Sequence, residues 1–282
     1  MNRSSLNRIL LISLLGILCW GCIELFRDEF PAYDAGPVVN AILVEGNPLL
    51  LQVSLSGGLD STVLPFVENA DIKLYINGVF TETVNYTSKG VYQADALIEP
   101  GKTYECRIKT ANHDTIYCFQ TIPYPAIIVK VEQLFNAFID IDGYVYDEIK
   151  LTFENDTNKL SYFEIPGFDY DFIDEINIDK VILNEGSTKA IFSNELIKTS
   201  LYTISLYSHI SQRNEMEIDL RTVTYDYYRY QKQYYMYLNG KYADIMNAAI
   251  ALPLYSNIEN ANGIFAGYSV FTFQTQPDDY DE

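Results

Sequence analysis

The feature that most constrains this fold is a rhythm of strand-length apolar runs broken by turn residues. VVNAILVE and LLLQVSLS flank Gly46-Asn47-Pro48, and ADIKLYING alternates so that Ile72, Leu74 and Ile76 share one face. Asn77-Gly78 then marks a tight hairpin turn into VFTETVNYT, and Pro100-Gly101 marks another turn. A half-apolar strand buries its face only against a second layer, so a series of them predicts an antiparallel sandwich. The 24 Tyr and 15 Phe, both strand-favouring, point the same way.

Ala70 to Gly78, Gly90 to Tyr92 and Pro100 to Tyr104 together resemble Ig-like or transthyretin-like modules of the carboxypeptidase-regulatory kind. The expected fold is therefore mainly β: such a sandwich over residues 37–122, then a second antiparallel β domain over 123–275 with one or two short helices. The Pro-rich TIPYPA, residues 121–126, reads as the boundary, and residues 276–282 as an acidic tail. Within the second domain, Thr224 is placed to cap a helix ending near Asn239-Gly240. Its Tyr227, Tyr230, Tyr234, Tyr237 and Leu238 fall on one aromatic face, expected to pack on a sheet.

The N-terminus reads as an address. Arg3 and Arg8 precede an apolar run from Ile9 to Leu18 that is too short to span a bilayer. The run ends at Gly21-Cys22, which resembles a lipobox, although Cys19 stands where Leu is usual and Trp20 where a small residue is preferred. The expectation is a lipoprotein signal over 1–21, acylation of Cys22, and a tether over 22–36. Buried methylenes contribute about 0.8 kcal/mol each, so a multiply acylated cysteine holds a chain on a membrane without a transmembrane helix.

Charge and motif content narrow the functions. A net charge of −19, with no basic stripe, disfavours nucleic acid and phosphate-rich partners. His113 and His209 read as turn and strand-end residues, and Ser61 and Ser256 lack a nucleophile elbow. Asp140, Asp142, Asp147 and Glu148 fall short of a calcium loop and read as a solvated turn, as does the acidic run DYDFIDEINIDK. No residue is assigned as catalytic or metal-binding, no cofactor is expected, and the chain reads as a non-enzyme. Cys106 and Cys118 lie in adjacent predicted strands and form either a cross-strand disulfide or two buried thiols.

The C-terminal PLYSNIENANGIFAGYS carries the most specific signal. Ser256, Asn257, Ile258, Asn260, Gly263, Ile264, Phe265 and Gly267 resemble the signature of the domain of unknown function 4249 family. Ala261 and Asn262 depart from the family's usual glycine and apolar residue. The lipobox, the PVVNAILVEG strand, the IKLTFENDTNKLSYFEI pair and the tyrosine-rich helix follow in the family's order. That resemblance implies a Bacteroidetes outer-membrane lipoprotein, facing the cell surface and encoded beside a TonB-dependent receptor. It would serve that receptor as an accessory in nutrient binding, with a peptide or glycan as ligand. The other expectation is a structural or assembly lipoprotein of an outer-membrane complex, and the least favoured a surface hydrolase. The motif itself is expected to be structural, because its apolar residues suit core positions.

Overall fold

The computed structural model describes residues 35–58, 65–139, 143, 145–166, 190–208, 217–241 and 254–274. The turn signals sit where they were expected. Strand β1 (Pro37–Val44) turns at Gly46 into β2 (Pro48–Leu55), and β3 (Asp71–Ile76) turns through Asn77-Gly78 into β4 (Val79–Thr83). Asn77 and Gly78 both have positive φ, 51° and 79°, the backbone that tight hairpins require. Next come β5 (Asn85–Ser88), β6 (Val91–Leu97), β7 (Thr103–Lys109) and β8 (Ile116–Thr121). The second half supplies β9 (Ile128–Ile139), β10 (Val145–Glu154), β11 (Tyr162–Ile165), β12 (Ala190–Ser193), β13 (Leu201–Ser208) and β14 (Glu217–Val223). Helix α1 (Tyr225–Lys241) and β15 (Asn262–Gln274) complete the described elements.

The protein is mainly β, as expected. Its largest layer is an eight-stranded sheet in the order β12-β11-β14-β15-β1-β2-β6-β5. Four of these strands come from residues 37–122 and four from 123–275, so both expected segments build one layer. The join is β1 against β15, in parallel, with Val39 opposite Gly263 and Leu43 opposite Gly267. A parallel neighbour cannot be reached by a tight turn, so this pair unites strands far apart in the chain.

Strand alternation sorts the sheet's two faces. On one, Val39, Ala41, Leu43 and Phe265 pack with Ile72, Leu74 and Ile108 of the four-stranded sheet β4-β3-β7-β8. On the same face, Phe163, Ile218 and Leu220 pack with Ile149, Leu151 and Phe153 of the three-stranded sheet β13-β10-β9. The opposite face receives α1, where Tyr227 meets Val223, Ile264 and Ala266. Each fully buried Leu, Ile or Phe contributes roughly 1.5–3 kcal/mol, so these contacts hold the layers together.

Candidate functional site

The motif that carried the family resemblance is spent on closing the fold. Strand β14 ends opposite Tyr268, which leaves Phe265 without a strand partner on that edge. Asn257 supplies one: its Nδ2 donates to the Phe265 carbonyl at 2.8 Å and its Oδ1 accepts the Phe265 N–H at 2.9 Å. Ser256 Oγ accepts the N–H of Ile258, which packs on the four-stranded-sheet core. Asn260, at φ 64°, donates from Nδ2 to the Thr115 carbonyl at 2.9 Å. Between them, Glu259 exchanges both backbone hydrogen bonds with Tyr117. Side chains absent from Gly263 and Gly267 are what let β15 lie against β1. A Cβ there would stand 1.9 Å from the Val39 oxygen and 2.4 Å from the Leu43 oxygen, respectively. Ile264 and Phe265 point to opposite faces and are buried in different cores.

Under α1 lies a buried charge that the sequence did not announce. Glu164 Oε2 accepts from Tyr227 Oη at 2.8 Å and from Arg221 Nη1 at 3.0 Å, with Glu164 only 1% exposed. Arg221 lies over the Tyr268 ring at 4.6 Å, and Tyr268 meets Tyr227 edge-on at 5.6 Å. Burial first, and then the Glu164 carboxylate, push the Tyr227 phenol far above its ordinary pKa. The carboxylate is matched by a guanidinium and a phenol and is closed from solvent, so the arrangement fixes α1 to the sheet. Alternation along β11 gave no warning, because Phe163 and Ile165 face the three-stranded sheet while Glu164 faces the helix.

The tyrosine stripe divides along its length. Thr224 caps the helix as expected, with Oγ1 accepting the Tyr227 N–H at 3.3 Å, and the same oxygen accepts the Gly267 N–H at 3.2 Å. Tyr227 is buried and Tyr230 partly so, but Tyr234 and Tyr237 stand 37% and 43% exposed. The expectation that the whole stripe packs on a sheet is thus corrected for its C-terminal half. The Leu238 side chain lies outside the described residues. Alongside, Tyr162 packs on Tyr225 and Tyr228 at 5.3 and 4.8 Å. Asp226 accepts from the Tyr255 hydroxyl and, at 2.7 Å, from Gln120 Nε2. Burial, then that bond to Asp226, push the Tyr255 phenol up to about 12.

The four-stranded sheet presents the other concentration of rings. Its inner positions are filled by Ile72, Leu74, Tyr104, Cys106 and Ile108, so its alternate positions face outward. Tyr75 lies opposite Phe80 on one side and Glu105 on the other, and Glu105 lies opposite Phe119. The row Phe80, Tyr75, Glu105, Phe119 therefore crosses all four strands. Phe80 and Phe119 are 52% and 70% exposed, and Tyr117 39%. Arg107 lies over the Tyr75 ring at 4.2 Å and pairs with Glu105 at 2.6 Å. Exposed aromatic rings on the outer face of a sheet suit apposition to another surface.

Other expected positions are placed as follows. Cys106 and Cys118 are directly opposed across β7 and β8 as buried free thiols. His113 lies in the β7–β8 turn, with Nδ1 3.2 Å from Thr110 Oγ1, and lines a shallow groove with Asn112, Asp114 and Asn260. Asp147 corrects the solvated-turn reading: it is 3% exposed and accepts the N–H of Asn136, which sits at φ 53° in a bulge of β9. Glu148 pairs with Lys150. Cys22, Ser61, Asp140, Asp142, His209, the run DYDFIDEINIDK and the acidic tail lie outside the described residues. Among the described residues, no group of three or more His, Cys, Asp or Glu is placed to hold a metal.

A family model described as Domain of unknown function (DUF4249) matches residues 24–274. The chain belongs to that family. No curated protein matches the chain. In this DUF4249 chain the motif reaches both the β1–β15 junction and the start of β8, where Asn260 bonds Thr115 and Glu259 bonds Tyr117, whose ring lies on the outward aromatic face. Sequence reasoning missed that face. Its signal was present in the outward positions of the alternation, Tyr75, Tyr117 and Phe119, where a strand ordinarily shows polar residues.

Proposed function

We propose that this DUF4249 chain is a non-catalytic outer-membrane lipoprotein, anchored through Cys22, that docks by an exposed aromatic face onto a larger membrane protein. The observation that carries this reading is the set of exposed rings on the four-stranded sheet, Phe80, Phe119 and Tyr117, together with a half-buried Tyr75 that Arg107 covers. A small nutrient calls for a concave pocket, whereas an exposed aromatic face suits a protein partner. The partner is the TonB-dependent uptake receptor that the family resemblance implies, with this chain as its accessory. A peptide or glycan would then be held by the assembly rather than by a pocket of this chain.

The expected tether limits the choice of partner. Residues 22–36, fully extended, reach at most about 54 Å at roughly 3.3–3.6 Å per residue. A protein so held meets what stands beside its own anchor. An affinity pull-down of the detergent-solubilised lipoprotein, with Cys22→Ala as control, tests the reading. A TonB-dependent receptor recovered in stoichiometric amount with the wild type, and lost with Cys22→Ala, is expected. Recovery of no membrane partner from an acylated protein would overturn the docking role. Release of the wild-type chain as a soluble protein would overturn the anchor.

A further inference from the structure

We propose that Cys106 and Cys118 become an intrachain disulfide while β7 and β8 assemble, and that burial then shuts the pair off from further exchange. The register is direct, Cys106 opposite Cys118. Tyr117 spends both its backbone groups on Glu259, so Cys118 directs its own toward β7. The cysteines are therefore a hydrogen-bonded antiparallel pair, whose Cα atoms stand about 5.5 Å apart. That separation falls inside the roughly 4.4–6.8 Å that a disulfide spans. The Cβ atoms of such a pair, at the upper part of roughly 4.5–5.5 Å, stand beyond the usual range of roughly 3.5–4.5 Å, so the bond closes with a local shift of the two strands. Both side chains point to the same inner face, 0% and 1% exposed, and the Cys118 thiol lies 3.7 Å from the Cys106 carbonyl oxygen.

Burial sets the timing. In the folded protein the hydrogen bond the Cys106 S–H makes to the Cys118 sulfur, and then desolvation, hold the Cys106 thiol well above its ordinary pKa, so little thiolate is present. Packing against Leu74 and Ile108 also leaves an oxidant no approach. Before the sheet closes, both obstacles are missing. One thiolate then attacks the disulfide of an oxidant, a glutathione disulfide or a thiol oxidase, and forms a mixed disulfide. The second thiolate displaces it. Two thiol protons leave, one S–S bond forms, and the oxidant's disulfide is reduced to two thiols. In the cell this rests on the export reading; the site's competence does not.

The test uses the full chain, reduced and unfolded in denaturant, then refolded in a glutathione redox buffer, beside native reduced protein held in the same buffer. Alkylation and trypsin follow. Cleavage after Lys102, Arg107 and Lys109 puts the two cysteines on separate peptides, so only a disulfide keeps them together. The linked pair should dominate the refolded sample and be absent from the native one. Free alkylated thiols after refolding, or pairing with Cys22 instead, would overturn the site. Linking of the native protein at the refolding rate would overturn the timing. The Cys106→Ser variant should fold and leave Cys118 unreactive until it is unfolded. Protein recovered from membranes should carry the link; its absence there, with refolding positive, counts against the export reading alone.

Discussion

Gly263 shows how much one residue can hold. It combines a φ of 121° with backbone contact against β1 that leaves no room for a Cβ. Gly263→Ala should therefore cost roughly 3 kcal/mol, from strain and displaced backbone together. A fall in the denaturant midpoint with an unchanged slope would show it. Ser269 presents the opposite case: its hydroxyl is fully buried and has no hydrogen-bond partner. Ser269→Ala should be neutral or stabilising by up to about 1 kcal/mol, and a loss above that would show the hydroxyl is satisfied in solution. The roles of these residues were unequally legible. Ile264 and Phe265 announced core positions, but a buried Glu164 cannot be seen from its neighbours, since its partners lie 57 and 63 residues away.

At the scale of elements, α1 is held by polar groups as well as by aromatic packing. Thr224 caps it, Glu164 and Asp226 accept phenol hydroxyls, and its exposed tyrosines leave only a short apolar contact. This gives a pH signature. Tyr255 and Tyr227 both have folded pKa values above the ordinary 10.0, so their contribution is complete below about pH 10. Above that the unfolded chain loses protons first, and stability should fall as pH rises toward 12. Melting temperatures across pH 8 to 11 should decline at the alkaline end, and Tyr227→Phe should flatten the decline; an equal slope in both would contradict the account. The helix and its cap were readable from period and capping chemistry. The division of its stripe was not, because which turns of a helix meet a sheet depends on where the sheet ends.

At the scale of the molecule, local turns and strands were legible while their assembly was not. Asn77-Gly78 fixes one hairpin from within, but nothing in PVVNAILV says that its neighbour is β15, more than two hundred residues later. Non-local pairing is set by the summed fit of many side chains, which no short window contains. That assembly leaves a four-stranded sheet with a buried face and an aromatic outer face, and the docking role rests on the latter. Phe80 and Phe119 touch water more than core, so replacing them should change stability by no more than about 1 kcal/mol each, the larger share at Phe80, which meets Tyr75 edge-on. The most direct measurement is therefore co-purification of the membrane partner by wild-type protein and by the Phe80→Ser, Phe119→Ser double variant, both confirmed acylated and folded. The account predicts that the variant reaches the membrane and loses the partner. A partner retained in full by the variant would contradict it.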